Sequence, residues 1–567
     1  MMDNREVARI LETVSQILEI QGENPFKVRA YANAARTIEG LTADVRTLAE
    51  AKTLDSLPGI GPALRDKVTE LVTTGKLAYF EELRAAVPPG VLGLLEIPTL
   101  GAKKVSILWK DLGVTGLDEL RDACLKNRLL DLKGFGEKTQ KKILEGIAFR
   151  LRHQGEHLLG EALPVARALL VHLRASPTVS RGEIAGSLRR WKEVVRDIDL
   201  LVSSAVPEET SQHFLRAPAI AEVLGRGETK TSVRMENGLQ VDLRIVTDEQ
   251  YPYALQYFTG SKEHNVQVRA MAQKRGLKVN EYGVFRGDEL VRCRDEAEVY
   301  AAIGLPYVPP ELREGRGELE AASLPRLLER GEVRGVFHVH STWSDGTASI
   351  VDMAEKARSL GFSYMGLSDH SAAASYANGL DAARLREQIR EVDRLNRSWN
   401  DFRILKGLEC DILPDGGLDL TPEILGELDF VIGSVHSRFD MGEREMTDRV
   451  CRAIANPHLD ILGHSTGRLL LEREGYKIDL ERVIECAREQ GKAIELNANP
   501  HRLDLDWIRC RRAKEAGVPI PINPDAHGTA GLEDVDYGVG TARRGWLEAR
   551  DVLTTLDADE ALRRFRR

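Results

Sequence analysis

The C-terminal part of the chain alternates short apolar runs with helical segments, seven times from residue 335 onward. The runs are GVFHVH, YMGLSDH, ILKGLECD, FVIGSVH, ILGHS, AIELNAN and PINPDAH. Strands that alternate with helices pair in parallel, and this number of units is enough to close a barrel. Four of the seven runs end in histidine, and a fifth, ILGHS, has histidine next to its last residue. In such barrels the chemistry sits at the carboxyl ends of the strands. The sequence therefore predicts a (β/α)7 barrel with a polar site at one end.

The predicted strand ends carry the side chains that bind metal ions. His338 and His340 form an H-x-H pair, which places both rings on one face of a strand. Six of the 13 histidines of the chain belong to this set, together with three carboxylates and no cysteine. Such nitrogen and oxygen donors suit two or three ions of Mn²⁺ or Zn²⁺. The nine candidate ligands are His338, His340, Asp345, His370, Glu409, His436, His464, Asp525 and His527.

A second group of carboxylates precedes the barrel, in the run EIAGSLRRWKEVVRDIDLLVSS (183–204). Alternation along a strand places Asp197 and Asp199 on the same face. A neighbouring strand, LQVDLRIV, would add Asp242 as a third carboxylate. Three aspartates can hold two Mg²⁺ or Mn²⁺ ions and support the transfer of a nucleotide to a hydroxyl group. We therefore expect Asp197, Asp199 and Asp242 to be both catalytic residues and metal ligands.

The turn before these aspartates is suited to binding a triphosphate. Gly186 and Ser187 can present backbone N–H groups to phosphate oxygens, and Arg190 adds a positive charge beside them. A Gly-Ser turn followed by an Asp-x-Asp pair is typical of the whole nucleotidyltransferase superfamily. The pattern alone therefore leaves template-independent nucleotide transfer open.

The run LQYFTGSKEHNVQVRAMAQKRGLKVNEYGVF (255–285) favours template-directed over template-independent nucleotide transfer. It resembles the nucleotide-selecting subdomain of family X DNA polymerases. The resemblance implies that Tyr257, Phe258 and Gly260 pack against the sugar and exclude a ribose 2′-hydroxyl. It also implies that Asn265 and Arg269 contact the nascent base pair and the template.

Three segments near the N-terminus share one design: LPGIGPAL (57–64), IPTLGAKK (97–104) and LKGFGEKT (132–139). Each has an apolar residue, a glycine turn and the first turn of a helix, which is the helix-hairpin-helix pattern. Glycine lets the backbone approach a phosphate, and the helix N-terminus offers free N–H groups to it. Any helix hairpin can use glycine in its turn, but three copies favour a sequence-independent grip on DNA. The candidate DNA-binding residues are Gly59, Gly61, Gly101, Lys103, Gly134, Gly136 and Lys138.

Taken together, these motifs resemble the bacterial and archaeal family X (β-like) DNA polymerases that carry a C-terminal PHP (polymerase and histidinol phosphatase) domain. The resemblance implies a repair polymerase that fills short gaps, as in base excision repair. It also implies a metal-dependent 3′-5′ exonuclease or end-processing activity, because the nine barrel ligands match an intact PHP set. Lys67 aligns with the lysine that forms a Schiff base with abasic sugars in eukaryotic members. An ordinary surface lysine on a helix is the commoner explanation of Lys67.

Two other functions remain open at this point. The barrel could be a small-molecule phosphatase, or the chain could be mainly a scaffold that binds DNA ends. Asp197, Asp199 and Asp242, together with the intact Y-F-T-G-S run, favour a polymerase over both. The expected partners are gapped or primed DNA and deoxynucleoside triphosphates, and we expect a monomer with no membrane contact.

Composition is compatible with this interpretation. Residues 1–315 hold 44 basic and 44 acidic side chains, so the net charge of −9 arises entirely within residues 316–567. A near-neutral front half can still bind DNA through local basic patches. The six cysteines are scattered, which predicts reduced thiols. The sequence has no long apolar span and no secretory signal, so we expect a cytoplasmic, nucleoid-associated protein.

The predicted fold class is therefore multidomain, with α+β and α/β parts. The expected division is residues 1–85, a helical lyase-like domain with a helix-hairpin-helix; 86–155, a second helix-hairpin-helix subdomain; 156–250, the nucleotidyltransferase palm; 251–315, the nucleotide-selection subdomain; 316–334, a linker; and 335–567, the PHP barrel.

Overall fold

The computed structural model describes residues 4–39, 41, 44–97 and 99–565. Its N-terminal region is built from helices whose apolar faces share one continuous core between Val7 and Ile147. The two helix-hairpin-helix units are therefore packed into a single body. The helices are α1 (Asn4–Gln21), α2 (Pro25–Glu39), α3 (Val45–Glu50), α4 (Pro62–Thr74), α5 (Ala78–Ala85), α6 (Pro89–Gly93), α7 (Ala102–Leu112), α8 (Leu117–Leu125) and α9 (Glu137–Arg152).

The palm is a five-stranded sheet, whose strands lie side by side in the order β2 (Arg181–Ile184), β4 (Asp197–Ser203), β7 (Gln240–Val246), β6 (Lys230–Met235) and β5 (Ile220–Arg226). Only the central pair, β4 with β7, runs parallel, and the other neighbours are antiparallel. Leucine and alanine side chains of α10 cover one face of this sheet. The palm elements are β1 (His157–Leu158), α10 (Leu159–Arg174), β2 (Arg181–Ile184), α11 (Gly186–Arg189), β3 (Val194–Val195), β4 (Asp197–Ser203), α12 (Pro207–Phe214), β5 (Ile220–Arg226), β6 (Lys230–Met235) and β7 (Gln240–Val246).

The nucleotide-selection subdomain follows as two helices, an antiparallel three-stranded sheet and a third helix. The segment 306–320, which overlaps the start of the predicted linker 316–334, is folded onto this subdomain, with Val308, Leu312 and Leu319 in its core. Arg313 is fully buried, and its guanidinium donates to the carbonyl of Val308 and to Glu296. The elements are α13 (Tyr251–Thr259), α14 (Lys262–Gln273), β8 (Leu277–Asn280), β9 (Gly283–Arg286), β10 (Glu289–Val291) and α15 (Glu296–Ala302).

The C-terminal domain is the expected parallel barrel. Its strands pair in parallel in the order of the chain, and a bridge between Val339 and Ala526 brings the last strand back to the first. The elements are β11 (Gly335–Val339), α16 (Ile350–Ser359), β12 (Tyr364–Leu367), α17 (Ala382–Asn396), β13 (Arg403–Lys406), β14 (Glu409–Asp411), α18 (Pro422–Leu425), β15 (Ile432–Ser434), α19 (Glu443–Ile454), β16 (Ile461–Leu462), α20 (Leu480–Gln490), β17 (Ala493–Ile494), β18 (Leu496–Asn497), α21 (Trp507–Ala516), β19 (Ile522–Asn523), α22 (Val535–Arg544) and α23 (Ala558–Phe565).

The barrel contains a disulfide bond that the sequence did not suggest. Cys451 of α19 is bonded to Cys486 of α20, so the prediction of reduced thiols is wrong for this pair. The two residues lie 35 positions apart, and only the packing of the two helices brings the sulfur atoms together. The other four cysteines are free.

The barrel also packs directly against the palm. Leu503, from the loop after β18, is fully buried within the hydrophobic core of the palm. On the other side of this contact, the ring of Trp191 lies so close to Gly540 of α22 that a Cβ atom there would approach it to 2.3 Å. Arg468 of the barrel donates to Glu193 of the palm at 3.0 Å. No described helix is long and apolar enough to cross a membrane.

Candidate active sites

The three predicted palm carboxylates meet at one end of the parallel strand pair. Asp199 on β4 lies directly opposite Asp242 on β7, and Asp197 precedes Asp199 by two residues on the same strand. Ile198 between them is fully buried, so both aspartates face away from the core. The pairing of β4 with β7 therefore places all three side chains on one face of the sheet.

The electrostatics of this group are those of an incomplete cation site. Burial and the neighbouring charges of Asp197 and Asp242 raise the pKa of Asp199 to about 7. Burial and Asp242 also raise the pKa of Asp197. Burial alone would raise the pKa of Asp242, but hydrogen bonds, first from Lys230, lower it instead. Repelling carboxylates of this kind are the donor set that Mg²⁺ and Mn²⁺ prefer, so the residues fit the expected ions.

Gly186 lies against the aspartate group, at a position with no room for a side chain. Its φ is +61°, and a Cβ atom at this position would lie 2.2 Å from the Oδ2 atom of Asp199. Ser187 follows in the first turn of α11. Glycine is therefore the residue that lets the turn reach the carboxylates.

Arg190 lies beside this turn in a buried network of charges. Its Nη1 atom donates to the carbonyl of Thr259 at 2.6 Å, and its Nε atom donates to Glu314 at 3.2 Å. Arg544 of the barrel donates to the same oxygen of Glu314 at 3.1 Å. The predicted triphosphate arginine is thus tied to both the nucleotide-selection subdomain and the barrel.

The predicted sugar-contacting residues form the end of α13. The rings of Tyr257 and Phe258 meet edge to face, with centroids 5.3 Å apart. Arg244 lies over the face of Phe258 at 4.1 Å. Gly260, at φ +69°, ends the helix, and a Cβ atom at this position would lie 3.1 Å from Nη1 of Arg190. Arg244 belongs to β7, the strand of Asp242, so this end of α13 adjoins the strand that carries one of the aspartates.

Asn265 and Arg269 occupy different environments on α14. Asn265 is buried, and its amide group donates to the carbonyl of Tyr257 at 2.7 Å while accepting from Gln256 at 2.9 Å. In this conformation Asn265 therefore supports the turn that carries Tyr257. Arg269 is exposed on the surface of the same helix.

The nine predicted barrel ligands come together at the carboxyl ends of the strands. Their donor atoms form four overlapping groups, and within each group the atoms lie within 4.8 Å of one another. The groups are His340, Asp345, His370 and His527; His338, His464 and Asp525; His338, His340 and Glu409; and His370, Glu409 and His436.

Glu409 is the centre of this arrangement. Its Oε1 atom lies 3.0 Å from Nε2 of His464 and 3.3 Å from Nε2 of His338, and its Oε2 atom lies 2.9 Å from Nδ1 of His370. Burial alone would raise the pKa of Glu409, but the surrounding histidines, first His370, hold it well below its ordinary value. A carboxylate surrounded in this way is suited to be a metal ligand.

Several buried ring nitrogens in the barrel have no hydrogen-bond partner among the described residues. They include both nitrogens of His340 and Nε2 of His338. Buried polar atoms without partners are costly in a folded protein, and a metal ion would satisfy them. The donor set, the burial and these unpaired nitrogens together fit a metal centre.

Two carboxylates that orient the ligands had no assignable role in the sequence. Glu495 is fully buried and lies 2.7 Å from Nδ1 of His338, while it also accepts from the backbone of His464 at 2.8 Å. Asp411 lies 2.5 Å from Nδ1 of His436. Such partners fix the ring orientation and tautomer of ligand histidines. Asp411 stands two residues after Glu409 on one strand, which is the periodicity that could have identified it.

Arg502 lies at the edge of the same site. Its Nε atom is 3.4 Å from Oδ2 of Asp525, a predicted ligand. The next residue, Leu503, is the one buried in the palm core. The loop after β18 therefore contacts both the barrel site and the hydrophobic core of the palm.

The three predicted helix-hairpin-helix turns precede α4, α7 and α9. Gly61, Gly101 and Gly136 begin these helices in extended conformation, and no side chain caps any of the three. Gly59 and Gly134 adopt left-handed conformations, at φ +79° and +89°. Uncapped helix starts leave N–H groups available to a phosphate.

The lysines of this region lie in distinct settings. Lys103 is exposed next to its turn. Lys138 is also exposed, and its Nζ atom lies 3.0 Å from Asp440 of the barrel. Lys67 lies 4.9 Å from the ring centroid of Tyr79, and Lys27 lies 5.4 Å from the same ring.

Comparison with known proteins identifies the same parts. Residues 2–77 match the helix-hairpin-helix domain and residues 91–148 the SAM-like helix-hairpin-helix tandem. Residues 254–314 match the DNA polymerase beta thumb, and residues 337–499 match the PHP domain. The palm sheet lies between these matches.

Whole proteins give the same result. The chain is 42% identical over 557 residues to the DNA polymerase/3′-5′ exonuclease PolX of Bacillus subtilis, which covers 97% of each chain. It is 24% identical to DNA polymerase lambda of Rattus norvegicus over 55% of this chain and 56% of the relative. It is also 38% identical to a probable phosphatase of Caldanaerobacter subterraneus over 22% of this chain and 50% of the relative.

Proposed function

The chain belongs to the family X DNA polymerases of the PolX type, and from this premise we propose how its two active sites work. The chain is a DNA polymerase that also carries a 3′-5′ exonuclease. We propose that the palm adds deoxynucleotides to primer 3′ ends at short gaps. The barrel then trims or cleans 3′ ends that the palm cannot extend.

The observation that carries the polymerase assignment is the register of β4 and β7. It sets Asp199 opposite Asp242, with Asp197 on the same face. We propose that these three residues hold two Mg²⁺ or Mn²⁺ ions, which supply positive charge to the reacting hydroxyl and the leaving pyrophosphate. The chain's own contribution is to fix the three carboxylates on one face of the sheet.

The turn and α13 would hold the nucleotide. We assign the triphosphate to the backbone of Gly186 and Ser187, with Arg190 as its cation. Tyr257, Phe258 and Gly260 would form the wall against C2′ of the sugar. Asn265 and Arg269 remain the candidates for contact with the nascent pair and the template.

The barrel centre supports hydrolysis of phosphoesters. We propose that its nine ligands hold two or three Mn²⁺ or Zn²⁺ ions, which supply Lewis acidity to a phosphodiester. Glu495 and Asp411 hold His338 and His436 in the correct tautomer. Because the barrel packs on a DNA-binding chain, a DNA 3′ end is the natural substrate.

The DNA grip would consist of the uncapped turns at Gly61, Gly101 and Gly136, with Lys103 and Lys138 adding charge. These contacts reach phosphate rather than base edges, so binding would be independent of sequence.

We also propose that Lys67 is the nucleophile of an abasic-site lyase, because it and Lys27 place two amines over one ring. The enzyme would act as a monomer on gapped or primed DNA at the nucleoid, in the cytoplasm.

One set of variants tests both assignments. Asp242→Ala should abolish nucleotide addition on gapped DNA with Mg²⁺, while Asp248→Ala, an exposed palm aspartate paired with Arg181, should keep it. His340→Ala should abolish 3′ cleavage with Mn²⁺, while His458→Ala, a barrel histidine outside the four ligand groups, should keep it. Each variant should leave the other activity largely intact. Extension by Asp242→Ala, or cleavage by His340→Ala, would refute the corresponding assignment.

The same assays separate the alternatives. Rapid hydrolysis of small phosphate esters with none on DNA would favour the small-molecule phosphatase. DNA binding with neither activity would favour the scaffold. Trapping of an abasic-site adduct with borohydride, lost in Lys67→Ala, would establish the lyase.

A further inference from the structure

An exposed aromatic side chain stands at the mouth of the barrel centre. Tyr376 lies in the 3-10 turn Ser375–Ala377, in the loop that follows His370. Its ring centroid is 6.1 Å from that of His370 and 6.4 Å from that of His436. The side chain is 71% exposed, compared with 56% for Tyr282 and 40% for Tyr307.

No described aromatic side chain lies parallel to the Tyr376 ring. The interplanar angle is 59° with His370 and 79° with His436, so neither histidine stacks on the tyrosine. When a flat partner covers an apolar ring that is exposed to water, the burial of apolar surface stabilises the complex. The Tyr376 ring is therefore an exposed aromatic surface beside the barrel centre that a flat partner could cover.

The loop that presents this ring is held in place. Ala374 and Ala377, on either side of the tyrosine, are buried. The side chain of Arg384 donates to the carbonyls of Asn378 and Gly379 just beyond the turn. Asp419 accepts from the backbone of Ala373 at 2.7 Å. A ring on a fixed loop can bind a partner without first losing the entropy of ordering that loop.

We propose that Tyr376 is a stacking platform for the terminal nucleobase of the DNA 3′ end that is being hydrolysed in the barrel. The proposal rests on the exonuclease function proposed above. With the scissile phosphodiester at the ligand histidines, the terminal base lies one sugar away, and the Tyr376 ring stands at the edge of the same group. Aromatic stacking accepts every base, because every base has a π-face. It would therefore select a nucleotide end over a small phosphate ester without imposing a sequence.

Arg502 complements this role from the edge of the site. Its charge is paired with Asp525, and it faces the centre that would hold the phosphodiester. The ring thus offers binding energy to the base, while the phosphate is met by charge. Tyr376 is a specificity-determining residue in this scheme and takes no part in bond cleavage.

A two-by-two experiment on the full chain tests the proposal. The wild type and Tyr376→Ala are each given two oligonucleotides in Mn²⁺, one ending in a normal 3′ nucleotide and one ending in an abasic tetrahydrofuran residue. For the normal end we expect Tyr376→Ala to lower kcat/KM about 5- to 30-fold, mainly through KM, as loss of one base stack implies. For the abasic end we expect no change.

Matched variants guard against a structural effect. Tyr376→Phe should retain wild-type activity on the normal end, because the ring and not the hydroxyl is required. Tyr282→Ala, which removes an exposed tyrosine outside the barrel, should leave both ends unaffected. Bound manganese, measured by elemental analysis, should be equal in the wild type and Tyr376→Ala.

The outcomes distinguish the stacking role of Tyr376 from the exonuclease activity of the barrel. Equal losses of activity on normal and abasic ends, or no loss on either, would overturn the stacking role while leaving the exonuclease assignment standing. A wild-type chain that cleaves neither oligonucleotide would overturn the exonuclease assignment and the stacking role with it. Reduced manganese in Tyr376→Ala, with activity restored by excess metal, would also overturn the proposal.

Discussion

The ammonium nitrogen of Lys230 lies 2.7 Å from Oδ2 of Asp242. Lys230 belongs to β6, the strand next to β7, so the sheet itself delivers a positive charge into the carboxylate group. This lysine lowers the pKa of Asp242, although burial opposes that effect. A fixed cation at this point competes with a metal ion for the same carboxylate.

Lys230→Met should therefore lower the Mg²⁺ concentration needed for half-maximal primer extension. The pair is partly exposed, so we expect a decrease of about two- to fivefold. Arg234→Gln is the matched control, because Arg234 lies on the same strand but pairs with Glu222. A Mg²⁺ requirement that is unchanged or increased in Lys230→Met would contradict the competition.

The shared carboxylate of Glu314 predicts that the barrel tunes nucleotide binding in the palm. Without Arg544, the charge of Glu314 would fall on Arg190 alone and weaken the positive potential offered to a triphosphate. Arg544→Gln should therefore raise the KM for deoxynucleotides about three- to tenfold with little change in kcat.

The neighbouring Arg543 provides the control for this effect. It pairs with Glu311 and makes no contact with Arg190, so Arg543→Gln should leave the KM unchanged. Thermal melting of both variants would report any loss of the interface itself. Equal KM values in the two variants would show that Glu314 does not transmit the charge.

Gly186→Ala should strongly reduce polymerisation and leave the activity of the barrel unchanged. The added methyl group would need the space of the Asp199 carboxylate, and φ +61° is unfavourable for alanine. A displaced carboxylate should reduce extension by about 10²-fold. Gly225→Ala, in β5 of the same sheet, should extend primers normally, because an added Cβ atom there would meet no other atom within 4 Å. Near-normal extension by Gly186→Ala would mean that the turn has more room than its geometry indicates.

The barrel should show a pH-dependent stability that originates in Asp460. Burial raises the pKa of this carboxyl to about 7, although it accepts a hydrogen bond from the backbone of Val431. In the unfolded chain the pKa is about 4, so the folded state binds more protons between these values. The stabilising contribution of protonated Asp460 is fully present below about pH 4 and is lost as the pH rises through about 7.

Asp460→Asn cannot ionise and should escape this loss. The difference in melting temperature between the variant and the wild type should therefore shift in favour of the variant from about pH 5 to about pH 8. Asp448→Asn, at an exposed helix position, should show no such trend. A difference independent of pH would place the ionisation of Asp460 outside this range.

The sequence predicted those features that follow a short-range rule. The nine barrel ligands stand at successive strand ends, and Asp197 and Asp199 obey strand alternation. The pairings that connect distant segments could not be predicted in this way. Glu314 meets Arg544 because two domains dock, and Lys230 reaches Asp242 through strand order. Neither contact follows from a repeating pattern in the sequence, because each joins residues that only the folded structure brings together.

For other residues of the two sites, the sequence did not indicate the role that the structure shows. Glu495 was acidic and close to a motif, yet only its burial beside His338 reveals that it holds a ring in place. Asn265 was expected at the nascent base pair, and its hydrogen bond to Tyr257 shows a supporting role in this conformation. Cys451 and Cys486 lacked any spacing signature, because helix packing alone unites them.

The burial of Leu503 in the palm has a consequence for ancestry. A lineage that lost the barrel would lose Leu503 from the palm core. The same deletion would expose the ring of Trp191, which lies against Gly540 of the barrel. Such a face would favour self-association until polar substitutions had accumulated there. Gene fission between the two catalytic units is therefore opposed by solubility, quite apart from any advantage of performing synthesis and trimming on one molecule.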